Sequence, residues 1–257
     1  MIYTCYEMVQ DCRSGESRGW RFFVRQYVPV IRRLLAHYGT GQTAIDPVLI
    51  ELRRPETSIF RNLEPLLERP FLAELRQEVL RQLAPPVVPP DLDLDTLAAA
   101  WQPLTLVERQ AAWLESMGYS AAETGEMLRM SAATVEKIRA RGADLIRAHM
   151  DTWSSGILSA SGLSLGRAAA AAAKDGCLPA KTFLDIIDGR ATWRGREEME
   201  QHVLGCWHCI DYFCRLLEVV ELLRGVQPLT SEEAAPFENL LGIEPPKKSA
   251  WKRWFGA

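Results

Sequence analysis

The chain has 257 residues, 47% hydrophobic and 25% charged, the balance of a folded globular protein rather than of a disordered or fibrous one. A formal net charge of −3 excludes a globally basic nucleic-acid binder, so any DNA-binding surface has to be local. No run approaches the ~20 apolar residues that span a bilayer, and the opening "MIYTCYEMVQDCRSGE" lacks the charged and apolar regions of a secretory signal. The expected address is the cytoplasm, with no membrane partner, where the six cysteines are thiols or metal ligands before they are disulfides.

In chain order the periodicity is helical almost throughout, and β-branched alternation is absent over any useful length, so the predicted fold class is all-α. "YEMVQDCRSGESRGWRFFVRQYVPVIRRLLAHYG" reads as two amphipathic helices broken at Ser14-Gly15. Trp20, Phe23, Val24, Tyr27, Ile31, Leu34 and Leu35 recur at three- and four-residue spacing in the second. "AIDPVLIELRR" and "PFLAELRQEVLRQL" add two more and complete a first helical module, residues 1–83. The prolines of "APPVVPP" cannot continue a helix and open a linker assigned to 84–104. "TLVERQAAWLESM", "SAAETGEMLRM" and "SAATVEKIRARGADLIRAHM" give three short helices over 105–150, with Ser120 and Ser131 as N-caps and Ser120-x-x-Glu123 as a capping box. "SSGILSASGLSLG" reads as a flexible Ser/Gly linker and the alanine run 168–173 as a bland helix, together 151–176. A compact unit follows over 177–224, and the proline-punctuated remainder, 225–257, is expected to be mostly disordered.

A short helix, a tight Met130-Ser131 turn and a second helix with polar and basic outward positions form the layout of a helix-turn-helix, whose second helix enters the major groove. Ser131, Thr134, Lys137, Arg139 and Arg141 are the candidate DNA contacts; Glu136 and Asp144 offset part of their charge. A plain three-helix bundle with a solvated basic face is the alternative. In the first module Arg13, Arg18, Arg21, Arg25, Arg32 and Arg33 alternate with Trp20, Phe22, Phe23 and Tyr27. Such a surface can hold splayed bases, although the spacing makes Phe23 and Tyr27 core residues first.

"EMEQHVLGCWHCIDYFCRL" carries the densest chemistry. His202 and Cys206 lie one helical turn apart, and the Cys206-x-x-Cys209 loop lets both sulfurs face one point, a donor set that suits tetrahedral Zn²⁺. Cys177 completes a closed Cys₃His site, with His208 and Cys214 as substitutes; a structural zinc is what a unit of this size needs to fold. No His/Asp pairing makes any cysteine a catalytic nucleophile, and no enzyme is expected. Cys5, Cys12 and Cys214 read as small buried hydrophobes. Trp207 reads as a packing residue. The C-terminal "PPKKSAWKRWFGA" sets Lys247, Lys248, Lys252 and Arg253 beside Trp251, Trp254 and Phe255, an anchor for an anionic surface or partner groove, or else a solubilising tail.

"ERQAAWLESMGYSAAETGEMLRMSAATVEKIRAR" resembles region 4 of an extracytoplasmic-function (ECF) sigma factor, and "VQDCRSGESRGWRFFVRQYVPVIRRLL" with "PFLAELRQEVLRQL" resembles its region 2. "FLDIIDGRATWRGREEMEQHVLGCWHC" is similar to the zinc-binding domain of anti-sigma factors, with Cys177, His202, Cys206 and Cys209 in the ligand positions. The resemblance implies a promoter-specificity subunit: region 2 binding the bacterial RNA polymerase core and opening the −10 element, with contacts at Asp46, Phe60 and Arg61, and region 4 reading the −35 element of promoter DNA. It also implies control by the fused zinc domain or by an inhibitor protein of the anti-sigma kind. The chain departs from the pattern where "DPVLIE" puts Leu49 and Ile50 at a polar pair, and where Glu74 stands for the family's tryptophan. These departures suit either a divergent sigma factor or a sigma-derived adaptor that works by protein–protein contact.

Overall fold

A computed structural model describes residues 3–39, 45–56, 59–61, 68–83, 93–148 and 155–244. Among them every regular element is helical and there is no strand. In chain order these are α1 (Cys5–Arg13), α2 (Ser17–Tyr38), α3 (Ile45–Arg53), a 3₁₀ turn (Ile59–Arg61), α4 (Glu68–Gln82), α5 (Leu94–Trp101) and α6 (Leu106–Ser116). There follow α7 (Ala121–Leu128), α8 (Ala132–Arg147), α9 (Ser155–Ala171), α10 (Ala180–Ile187), α11 (Trp193–Leu204), α12 (Trp207–Leu223) and α13 (Ser231–Leu240). None of the described helices is long and apolar enough to cross a membrane. The proline-rich segment 84–92, the side chain of Arg61 and the basic-aromatic run 245–257 lie outside the described residues.

The helices group into two compact units that do not follow the boundaries read from sequence. One takes residues up to Arg32, 44–67 and those from Val226 onward; the other takes 33–43 and 68–225.

In the first unit, Thr4 caps α1 in a reciprocal box with Glu7, and α1 ends at Gly15, whose φ of +75° reverses the chain into α2. Trp20, Phe23, Val24, Tyr27 and Ile31 are all buried, the apolar stripe that the sequence spacing predicts. The C-terminal stretch is not uniformly irregular: Thr230 and Glu233 cap α13, and Ala234 and Phe237 are buried. Glu238 of α13 pairs with Arg21 at 3.3 Å and Arg25 at 3.5 Å, and the Arg32 guanidinium lies over the Phe237 ring. Pattern reading undervalued α13 because its apolar residues are few and Pro236 lies within it, which left the buried partners on α2 as its main support.

In the second unit, α12 is the central helix. It packs against α4, α6, α7, α9, α10 and α11, and Ile210, Phe213, Leu216, Val219 and Leu222 are buried around its circumference. Two further stretches assigned to linkers are helical here. Asp93 accepts the Thr96 amide at 2.8 Å and starts α5. The Ser/Gly stretch from Ser155 and the first four residues of the alanine run form one continuous helix, α9, packed on α5, α6 and α12. Small residues make that packing close: a Cβ at Gly162 would overlap the Ser116 carbonyl of α6. Arg167 of α9 donates to the Leu80 carbonyl at 2.5 Å and to that of Leu83, satisfying orphan acceptors at the end of α4.

Candidate metal centre and helix-turn-helix

The four predicted metal ligands come together. The Sγ atoms of Cys177, Cys206 and Cys209 and a ring nitrogen of His202 lie within 4.8 Å of one another. Each is placed by a helix end. His202 is in the last turn of α11, Gly205 breaks that helix, Cys206 is the N-cap of α12, and Cys209 sits in its first turn. Cys177 precedes α10 in a turn whose Lys174 carbonyl accepts the Cys177 amide at 3.1 Å.

The Cys177 and Cys206 sulfurs are 3.8 Å apart, and His202 Nε2 is 3.1 Å from Cys209 Sγ. Two sulfurs bound tetrahedrally at ~2.3 Å from one ion are separated by ~3.8 Å, so the spacing accommodates a four-coordinate metal. Two backbone amides already point at the sulfurs: Lys174 N–H donates to Cys177 and Leu178 N–H to Cys209, each at 3.4 Å. Such donors orient ligands and stabilise negative charge on them. The thiols are not equivalent. Burial pushes Cys209 up to about 12, and its sulfur neighbours add to the rise. Burial acts on Cys177 in the same direction, but the Lys174 amide and hydrogen bonds with Cys206 and Cys209 hold it below the usual thiol range.

His208 and Cys214, the two substitutes, stay out of the cluster. The His208 ring stacks parallel to Tyr212 at 6.1 Å, and burial, helped by Arg215, lowers its pKa. Cys214 is buried within the packing of α12. Trp207 lies beside Trp113 at 5.4 Å and Trp101 at 6.0 Å, a packing role next to the candidate ligands. Sequence reasoning missed what surrounds the centre, because the contacts are non-local. Arg109 of α6 donates to the Leu204 carbonyl at 2.7 Å, at the end of the helix that carries His202. Trp113 Nε1 donates to Asp211 Oδ1 at 3.2 Å, and Asp211 also pairs with Arg215 at 2.9 Å. Glu74, an odd residue in sequence, lies 3.7 Å from that buried arginine.

The helix-turn-helix elements are α6, α7 and α8. The predicted capping box of Ser120 and Glu123 starts α7; Arg129, at φ +57°, ends it in the left-handed region. The Ser131 hydroxyl accepts the Thr134 amide at 3.1 Å and starts α8. Ser131, Thr134, Lys137 and Arg141 are exposed along the leading part of α8. Arg139 corrects the expected contact set: its Nη2 donates to the Tyr119 carbonyl at 2.7 Å and to Thr124 Oγ1 at 3.0 Å, so it ties α8 to α7 instead of facing outward. Arg141 Nη1 reaches Glu108 at 2.5 Å, the same carboxylate that accepts the Thr105 amide at the start of α6.

The expected −10 contacts are corrected as well. Phe60 is 1% exposed, edge-on to Trp20 at 4.9 Å and to Phe23 at 5.4 Å, and is a core residue of its unit. Its apolar ring gains more from that burial than an exposed position would allow. Asp46 is exposed in the first turn of α3. Leu49 is buried and Ile50 is 43% exposed, so one of the two apolar replacements in α3 serves the core. Several of the arginines interleaved with aromatics also make internal contacts: Arg13 Nε donates to the Phe60 carbonyl, and Arg18 covers the Tyr3 ring at 4.1 Å.

Comparisons of the chain with protein-family models, curated proteins and solved structures found no match.

Proposed function

We propose that the chain is a divergent ECF-type sigma factor acting in the cytoplasm as a specificity subunit, not as a catalyst. Its α8 reads promoter DNA, and its zinc-binding helices control access to the RNA polymerase core or receive an inhibitor protein. The observation that carries the reading is the capped, exposed start of α8, presented by a tight turn after α7, in the same compact unit as the Cys₃His cluster. Zinc is the proposed ion because three thiolates and one imidazole in a closed tetrahedral set match its preferences and leave no open position for a substrate. Bound zinc holds the end of α11, the segment before α10 and the start of α12 in one arrangement, and α12 passes that order to the helices packed on it.

In-vitro transcription with purified full-length chain, bacterial core polymerase and genomic fragments tests the proposal. The expected result is a discrete set of promoter-specific transcripts that Lys137→Glu abolishes. Failure to bind core polymerase, or to direct any specific transcript, overturns it.

A second function, a sigma-derived adaptor that works by protein contact, is favoured by one observation. Of the α8 arginines, Arg139 bonds to Tyr119 and Thr124, Arg141 pairs with Glu108 and Arg147 with Asp144, which leaves a thin field for phosphates. An adaptor forms its complexes unchanged by Lys137→Glu and directs no transcript in the same assay.

A further inference from the structure

α13 has little helix-forming support of its own. It is ten residues long, Pro236 lies inside it, and the residues that lead into it, 230–233, are exposed. Isolated helices of that length are marginal in water, and an interior proline removes a backbone hydrogen bond. Its order within the first compact unit therefore comes from docking. Ala234, Phe237, Glu238 and, at the C-cap, Leu241 recur at i, i+3, i+4 and i+7, and all four are buried. One of the four is a carboxylate, which is rarely buried unless it is paired.

On α2 this face meets a stripe of arginines. Arg18, Arg25 and Arg32 recur at heptad spacing and Arg21 lies one turn from the first two, so all four share one side of the helix. Glu238 lies between Arg21 and Arg25, and the Phe237 ring lies under Arg32. The Leu229 N–H donates to the Arg25 carbonyl at 2.9 Å, and Arg21 donates to the Glu244 carbonyl. The seat is imperfect. Arg25 Nε and Glu238 Oε1 face each other at 3.5 Å, yet both are buried without a hydrogen-bond partner. Buried polar atoms in that state carry a desolvation cost that better geometry recovers.

We propose that α13 is a displaceable cover, and that the arginine stripe beneath it is a docking surface for an acidic amphipathic helix of a partner protein. α13 itself shows the chemistry that fits: a small residue, an aromatic, a carboxylate and an aliphatic at i, i+3, i+4 and i+7, the spacing of a helix that lies in a groove. Two guanidiniums share the Glu238 carboxylate and a third rests on a ring, so a helix that brings a second carboxylate gains over α13, and one without an interior proline loses less on ordering. The tether holds α13 at high effective concentration, which keeps weaker competitors off the stripe. The inference does not depend on the sigma-factor reading, and its test contains no transcription step.

The test uses the full-length chain and, as probe, a fluorescein-labelled peptide with the sequence of residues 229–244, whose binding is read by fluorescence anisotropy. In the parent chain the tethered α13 competes with the probe. Glu238→Arg sets a cation against Arg21 and Arg25, releases the tethered helix, and is expected to raise the affinity for the probe at least about tenfold. Adding Arg25→Glu to that variant is expected to abolish binding with an unchanged circular-dichroism spectrum. Hydrogen exchange of the parent chain needs no variant: the α13 amides are expected to exchange at least about tenfold faster than those of the buried part of α2. Unchanged probe affinity in Glu238→Arg, or binding that survives Arg25→Glu, overturns the docking surface. Equal protection of α13 and α2 overturns the displaceable cover. Binding of a single-stranded oligo-dT to Glu238→Arg in preference to the peptide overturns the helical class of partner.

Discussion

Arg76 of α4 and Glu218 of α12 form an ion pair at 3.0 Å in which each side chain is only 1% exposed. Tyr38 completes it: its hydroxyl donates to Glu218 at 2.7 Å and accepts from Arg76 at 2.9 Å. The two charges come from positions 142 residues apart and join α4 to α12, the helix that starts at the Cys206 cap.

Removing one member leaves the other charged, buried and alone. Glu218→Leu or Arg76→Met is therefore expected to cost about 3–5 kcal/mol of unfolding free energy, whereas the double replacement by Leu and Met costs less than the sum of the two. Urea denaturation of the three variants reads both numbers; additive losses would show that the two groups do not act as a pair.

The proposed zinc site predicts one equivalent of zinc per chain and a large folding contribution, since structural zinc supplies on the order of 10 kcal/mol of binding free energy in small units. Cys206→Ser or chelation is expected to release the ion and lower the thermal midpoint of the second unit by more than 10 °C. Cys214→Ala keeps the metal. Elemental analysis with thermal melts checks all three, and metal retained by Cys206→Ser would remove that residue from the ligand set.

Arg139 and Lys137 are two residues apart on α8 but differ in setting: Arg139 bonds to Tyr119 and Thr124, and Lys137 is exposed and the proposed DNA contact. Arg139→Ala strips acceptors at Tyr119 and Thr124 of a charged donor and is expected to destabilise by about 1.5–3 kcal/mol. Lys137→Glu, at an exposed position, is expected to change stability by less than about 0.5 kcal/mol while weakening DNA binding. Thermal melts beside electrophoretic mobility shifts separate the two effects.

Gly162 is a packing position. Alanine there would drive its Cβ into the Ser116 carbonyl, so α9 has to move off α6, at an expected cost of about 3 kcal/mol. Gly176→Ala, where a Cβ meets nothing within 4 Å but φ is +91°, carries only the backbone term of about 1 kcal/mol. Comparable melting points for the two variants would argue against close α6–α9 packing.

Helices supported by local chemistry were legible in the sequence. α1, α2, α7 and α8 show periodic apolar stripes or Ser/Thr caps, and those signals act within a few residues of one another. α9 and α13 were not, because a Ser/Gly helix and a short proline-bearing one have little intrinsic helix preference. Their order comes from contacts with distant residues: Ser116 against Gly162, and Arg21 and Arg25 against Glu238.

The candidate metal ligands follow the same division. The sequence alone determined the all-helical class and the capped turn before α8, and it named Cys177, His202, Cys206 and Cys209 as one set, the last three spaced across a single helix break. Only the tertiary structure decided that the four side chains reach one point while His208 stacks on Tyr212 instead, and that Arg139 turns inward and Phe60 enters a core. Those outcomes depend on which groups from far along the chain can be desolvated together, a matter of burial and partner geometry that no local pattern encodes.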